Sequence, residues 1–320
     1  MLAVSIAGHL AQSARGDSPL VTEPISVADL LAFYEKQDST TVADPPRAGE
    51  SLPSATRGEG AFEISLSPAL WMARVRGNTS LNGPSFTVDD EFGLNDYQAT
   101  FNGELSASWG VFYKVMLTGW FFSTADNATA KSGGAFGSVN ISVADRLSNN
   151  FSAASAGAEF DVTLWQPFAD QQTPWSPTIV KTRNVAIDGQ YKADLRFKVI
   201  GAVRWYSASL SVDDQTNGSS DSWSMDAVMP GIGGGIELDF NTKGRIPIVQ
   251  SIRLESSGGT GSNFLDGQYF TFIRAGLNVM FSPDCGIELG YRLEDFKLSQ
   301  DNALFDGGVQ GLFVGVNVKF

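Results

Sequence analysis

From position 61 to the end of the chain, hydrophobic and polar residues alternate. Leu195, Phe197, Val199, Gly201, Val203 and Trp205 share one parity, while Asp194, Arg196, Lys198, Arg204 and Tyr206 take the other. Ile287, Leu289, Tyr291 and Leu293 likewise oppose Glu288, Arg292 and Glu294, and Ile273, Ala275, Leu277, Val279 and Phe281 oppose Arg274 and Asn278. A period of two belongs to β-strands, whose successive side chains point to opposite faces. The pattern predicts ten strands, over residues 61–76, 96–109, 111–124, 152–167, 191–209, 224–240, 246–256, 268–282, 286–297 and 308–320. Several run twelve residues or more, past the usual globular length of about 5–6. A tilted strand crossing a bilayer needs about 9–11 residues. The segment around Thr178, Ile179 and Val180 has room for a further strand, so eight or twelve strands stay open beside ten.

In residues 311–320, Leu312, Val314, Val316, Val318 and Phe320 fall on one face, and Phe313, Gly315, Asn317 and Lys319 on the other. This strand, with Gly315 five positions before an aromatic Phe320, resembles the closing strand of a bacterial outer-membrane β-barrel. The connections add to the resemblance. Short ones near 109–110, 240–244 and 282–285 alternate with long ones near 77–95, 125–151, 210–223, 257–267 and 298–307, as in barrels with short periplasmic turns and longer outer loops. The resemblance implies an all-β, antiparallel, transmembrane up-and-down β-barrel in the cell outer membrane. It further implies that Gly315, Val318 and Phe320 form an assembly signal. The implied partners are the barrel-assembly machinery, periplasmic chaperones and outer-membrane lipid.

Three zones divide the chain. Residues 1–20 read as an export signal, with a short apolar run and an acceptable cleavage pattern at Ala11, Gln12 and Ser13. Residues 21–60 hold one short periplasmic helix over 26–36, with Ser26 as its N-cap. A linker rich in Ser, Thr, Pro and acids follows it, of a composition that predicts disorder. Residues 61–320 are the barrel. Trp71, Tyr97, Trp109, Tyr113, Trp165, Trp205, Trp223, Tyr269 and Tyr291 lie near strand ends and are assigned to interfacial girdles. Trp120 and Phe122 break that scheme and are assigned inward.

With the apolar face turned to lipid, the other face holds charge. Its members are Glu63, Glu104, Lys114, Glu159, Asp161, Arg196, Lys198, Arg204, Glu237, Asp239, Arg253, Arg274, Glu288, Arg292, Glu294 and Lys319. Acids and bases are nearly balanced, and charges persist away from water only when paired and hydrogen-bonded. A lumen filled by ion pairs is therefore expected. A wide channel would instead carry a ring of one sign at its constriction.

The remaining chemistry is mostly excluded. The single histidine is His9, so residues 61–320 lack a base titrating near neutral pH to activate a serine or a water. No enzyme, cofactor or metal site is expected, and the lone Cys285 sits in a turn signal. A net charge of -13 excludes nucleic acid as a partner. The run at 213–218 is like a calcium loop but lacks its alternate acids and closing Glu. Residues 231–235 are glycine-rich without a phosphate-loop lysine and lie in a strand, and residues 256–262 read as a flexible loop. Three functions follow as alternatives. The first is a barrel with a structural or surface-interaction role and a charge-paired lumen. The second is a narrow, porin-like passive pore for ions or small solutes. The third is a soluble β-barrel binding a lipid or small ligand.

Overall fold

The computed structural model describes residues 62–166, 185–187, 191–242, 246–264 and 266–320. The expected export signal, helix 26–36 and linker lie outside the described residues. Ten long strands form the body: β1 Phe62–Leu81, β2 Gln98–Trp109, β3 Tyr113–Thr129, β4 Arg146–Trp165, β5 Tyr191–Asp214, β6 Ser219–Asn241, β7 Ser251–Asn263, β8 Gln268–Met280, β9 Cys285–Gln300 and β10 Ala303–Lys319. Each pairs antiparallel with its chain neighbours, and β1 pairs with β10 from Ser65↔Lys319 to Leu81↔Ala303. The ring of ten is therefore closed and has no free edge, which removes the unpaired backbone that a bilayer does not tolerate. The start of β1 and the finish of β10 mark its proximal end, and the turn between β9 and β10 lies at the distal end.

The strands outrun the expected boundaries at the distal end. Residues 210–223, 257–267 and 298–307 were expected as long loops. They are instead strand ends closed by the short links 215–218, 264–267 and Asp301-Asn302. Asp301 and Asn302 both have positive φ, at 48° and 67°, as a two-residue hairpin turn of primed type requires. Residues 256–262 are not a flexible loop. They lie within β7, paired to β6 on one side and β8 on the other. Alternation is weak there because glycine is required by space. A Cβ on Gly259 would stand 2.6 Å from the Phe272 ring and 2.7 Å from the Ile232 carbonyl oxygen. The segment suspected of a further strand, at 178–180, lies outside the described residues; between β4 and β5, Val185–Ile187 pairs with β5 for three residues.

The outside carries an apolar belt. On β1 it runs through Phe62, Ile64, Leu66, Leu70 and Met72, all more than a third exposed. On β5 and β6 it includes Val203, Trp205, Val228, Ile232 and Ile236, and on β10 Leu312, Val314 and Val316. Large apolar side chains gathered on the outside of a closed ring are the reverse of a soluble barrel. They match the lipid-facing band of a transmembrane one. Distal to the belt, the outer face of β3 to β6 turns to short polar groups. Ser123, Ser152, Ser209 and Ser224 stand in one rank across the four strands.

Candidate functional site

The inward face of the strands begins, at the proximal end, with paired charge. Lys319 meets Glu63 at 3.0 Å, and Arg253 meets Asp239 at 3.0 Å. Deeper in, Glu237 accepts from Arg196 at 2.8 Å and from Lys198, and lies 3.4 Å from the Arg253 guanidinium. Arg274 reaches from β8 to Glu104 on β2 and to Glu288 on β9, the second at 2.6 Å. Arg292 donates to Glu294 at 2.8 Å, Asn102 Oδ1 at 2.7 Å and Thr118 Oγ1 at 3.1 Å. Arg204 bridges Glu159 on β4 and Glu294 on β9, the latter at 3.0 Å. Lys114 and Asp161 stand opposite each other in the β3–β4 register. Glu255, on the same parity of β7 as Arg253, was not among the expected charges.

Alternation accounts for this gathering. Every second residue of each strand faces the axis, so charges far apart in sequence become neighbours across the ring. Arg292 and Asn102 are separated by 190 positions and touch. The fully enclosed members carry the densest bonding: Arg204, Glu159, Arg292 and Glu294 are each 4% exposed or less. Each has an ion-pair partner of opposite sign, as a charge removed from water demands, while the Nε of Arg204 is left without an acceptor.

Further along the same inward parity the charges stop and aromatic rings begin. On β9 the run Arg292, Glu294 continues as Phe296 and Leu298; on β8 Arg274 continues as Phe272 and Phe270; on β5 Arg204 continues as Tyr206, Ala208, Leu210 and Val212. All of these apolar and aromatic continuations are buried. Tyr206 stacks on Phe296 with centroids 4.8 Å apart, Phe296 on Phe305 at 5.2 Å, and Phe305 on Phe151 at 5.3 Å. Trp71 and Trp120 meet edge to face at 5.6 Å. Trp120 and Phe122 do point inward, as expected. Trp71 and Trp223 were assigned to a girdle and are instead lumen residues, 0% and 5% exposed. The Trp223 indole donates to Thr79 Oγ1 at 3.0 Å.

The two layers are joined. Tyr206 donates its hydroxyl to Glu294 from within the ring stack. The Arg204 guanidinium lies 4.7 Å from the Phe272 centroid, close enough for cation–π attraction.

Two distal connections cover the aromatic layer. Residues 82–97 contribute Phe86, Val88, Phe92 and Leu94, and residues 130–145 contribute Phe136, Val139 and Ile141, all at most 3% exposed. Phe92 packs on Phe86 at 5.5 Å and on Phe136 at 5.6 Å. Backbone bonds fix both segments: Val88 N–H to the Gly77 carbonyl at 2.8 Å, and Gly137 N–H to the Leu81 carbonyl at 2.7 Å. Asp221 on β6 accepts the Ser138 N–H at 2.6 Å. That bond and the one from Ser222 hold its carboxyl below the ordinary aspartate range. In the turn once likened to a calcium loop, Asp214 accepts from the N–H groups of Thr216 and Asn217. Its oxygens are thus engaged by the turn itself.

The proposed signal residues lie apart from the lumen network. Gly315 faces inward against Ala69, where a Cβ would stand 2.8 Å from the Ala69 methyl carbon. Phe320 is 71% exposed, and its N–H bonds the Ile64 carbonyl at 2.9 Å. Val318 is half-buried opposite Leu66.

No protein-family model matches the chain, and no curated protein does. Solved bacterial outer-membrane proteins are similar in part. Ail of Yersinia pestis aligns at 13% identity over 81% of this chain and 99% of its own, with a TM-score of 0.31. The outer-membrane protease OmpT of Escherichia coli aligns at 9% identity over 81% and 98%, with a TM-score of 0.38. Neisserial surface protein A aligns at 15% over 81% and 97%, with a TM-score of 0.27. The class is fixed by the molecule's own geometry. A closed antiparallel ring, apolar outside and polar within, is the outer-membrane construction.

Proposed function

We propose that the protein serves the bacterial outer membrane as a closed barrel. In this reading the lumen braces the wall instead of passing solute, and the distal face is a platform for surface interaction. One observation carries the reading. The inward face is occupied along its length, by cross-ring ion pairs proximally and by stacked rings distally, under two packed connections. An ion path needs a hydrated, weakly binding route. A wall of aromatic side chains in mutual contact offers no such route. The single histidine is His9, outside the described residues. The lumen carboxylates sit on arginines and lysines, which suits bracing better than acid–base work.

Planar-bilayer recording on the refolded full chain tests this reading. The expected result is insertion without stepwise conductance at ordinary salt. A steady single-channel conductance from the unmodified protein would replace bracing by transport. Fractionation tests the location separately: the protein is expected with outer membranes and resistant to carbonate extraction.

A further inference from the structure

On the outside of β1, β9 and β10, the apolar belt ends at a line of cations. The outward run of β1 passes from Leu70 and Met72 to Arg74 and Arg76. In the paired register Arg74 stands beside Gln310, which stands beside Leu293. Arg76 stands beside Gly308 and Asp295 in the next rank, and Asn78 beside Asp306 and Lys297 in the rank after that. The cations therefore occupy the first ranks beyond the belt, at the depth where lipid headgroups begin.

Their pairing with carboxylates is incomplete. Arg76 holds Asp295 at 3.0 Å, an approach that side-chain-free Gly308 between them permits, and remains 43% exposed. Arg74 has no carboxylate partner among the described residues. Its guanidinium lies 5.2 Å from the Tyr97 centroid, and its Nε is buried without a hydrogen-bond acceptor. Lys297 makes no ion pair among the described residues, and the neighbouring Asp306 accepts from the Tyr269 hydroxyl at 2.8 Å. Tyr291 donates its hydroxyl to Gln310 Oε1 at 2.9 Å. Tyr97, Tyr269 and Tyr291 thus frame the cations with amphipathic rings of the kind that settle at headgroup level. Three cations face two carboxylates here, on a chain whose net charge is -13.

We propose that Arg74, Arg76 and Lys297 form a binding site for the phosphate of a lipid headgroup in the leaflet that meets the distal half of the barrel. Guanidinium is suited to phosphate because its planar N–H fork matches two phosphate oxygens. A phosphorylated lipid whose chains lie along Met72, Leu312 and Leu293 brings its phosphate to these ranks. Arg74, held over Tyr97 and without a carboxylate partner among the described residues, is the primary contact. Arg76 shares itself between Asp295 and the phosphate. Lys297 supplies long-range attraction.

The test is native mass spectrometry of the refolded full chain, exchanged into micelles carrying either a diphosphorylated glycolipid or the same lipid after phosphatase treatment. The unmodified protein is expected to retain the phosphorylated lipid at least tenfold more than the dephosphorylated one. Arg74→Gln/Arg76→Gln/Lys297→Gln is expected to remove that preference while keeping the heat-modifiable gel shift of a folded barrel. Lys131→Gln/Arg146→Gln, which removes two exposed distal cations elsewhere, is expected to leave it intact. Equal retention of both lipids by the unmodified protein overturns the site, as does a preference that survives in the triple variant. Equal stabilisation by inorganic phosphate alone overturns the lipid as occupant. If the triple variant fails to fold, Arg74→Gln alone decides: an undiminished preference in it overturns the site.

Discussion

β5 crosses two regions that obey opposite rules. Over residues 194–205 its outward face is Leu195, Phe197, Val199, Val203 and Trp205, while Arg196, Lys198 and Arg204 face in. Over 206–213 the outward face is Ser207, Ser209, Ser211 and Asp213, while Tyr206, Ala208, Leu210 and Val212 face in and are all buried. On neighbouring β6 the outward face changes at the same level, from Val228 to Asp226, while the inward residues Met229, Ala227, Met225 and Trp223 are apolar throughout. One strand with one unbroken period thus carries an inverted section inside the membrane and a section built like a soluble protein beyond it. Period two says only that the faces differ. The solvent outside decides which face is apolar, and the lumen then takes what remains. In the belt the lumen is left with charge that must be paired. Above it, the lumen receives the hydrophobic core.

The sharpest test of this contrast is inside the belt region. Arg204→Glu removes the partner of Glu159 and Glu294 and adds a third carboxylate among them. Breaking a buried pair costs about 3–5 kcal/mol, and this reversal is expected at or above that range in urea unfolding of the micelle-embedded barrel. Arg204→Met with Glu159→Leu is expected to cost clearly less, because Glu294 keeps Arg292 and Tyr206. Equal losses in both variants would mean that shape, and not pairing, governs this layer.

In the aromatic layer, Phe296→Ala is expected to cost about 3–5 kcal/mol through lost contact and the cavity left behind. Phe296 stacks with Tyr206 and Phe305. The loss should be independent of salt. A salt-dependent loss would mean that the two layers are not separable.

The outer face gives a same-strand comparison. Val203→Arg near the middle of the belt is expected to cost about 2–4 kcal/mol. Ser209→Arg, six positions on and still outward, should stay within about 0.5 kcal/mol, and Val203→Ile should be nearly silent. If the two arginines cost the same, the boundary is misplaced.

Smaller again is Gly259→Ala, expected at about 1–3 kcal/mol from overpacking, since the new methyl meets the Phe272 ring and the Ile232 carbonyl. The smallest expected effect is local and pH-dependent. Asp221 is held below the ordinary range by the Ser138 N–H. Its contribution is therefore complete above the unfolded aspartate pKa of about 3.9 and is lost as pH falls through the folded value. The protection of the Ser138 amide, taken relative to the unstructured exchange rate at each pH, is expected to fall on acidification in that window. Asp221→Asn should flatten the response.

Much of this was legible in the chain. Face parity and the inward placement of Arg204 and Arg292 follow from alternation, and ten was the expected strand number with eight and twelve left open. The aromatic layer was missed although its signal was present: Phe296 and Leu298 continue the parity of Arg292 and Glu294, and Phe272 and Phe270 continue that of Arg274. Reading apolar residues other than Trp120 and Phe122 as lipid-facing, and Trp71 and Trp223 as girdle residues, hid the point where the solvent changes. Residues 256–262 were misread for another reason. Glycine there answers close approach between strands and rings, a property of the assembled ring that local sequence does not encode. The pairings of Arg204 with Glu159 and Glu294 depend on strand register, which parity leaves undetermined.

The two-residue link at Asp301 and Asn302 has a consequence of its own. It closes the β9–β10 hairpin in full register, Gln300 opposite Ala303, at the distal end of the barrel. Closing a longer loop there costs little extra entropy, since each doubling of length adds only about 0.6 kcal/mol. The hairpin below is tied to β1 and β8 through unbroken ladders. A foreign peptide spliced between these two residues would ride at that end as a display graft, free to vary in sequence and length while the wall beneath keeps its register.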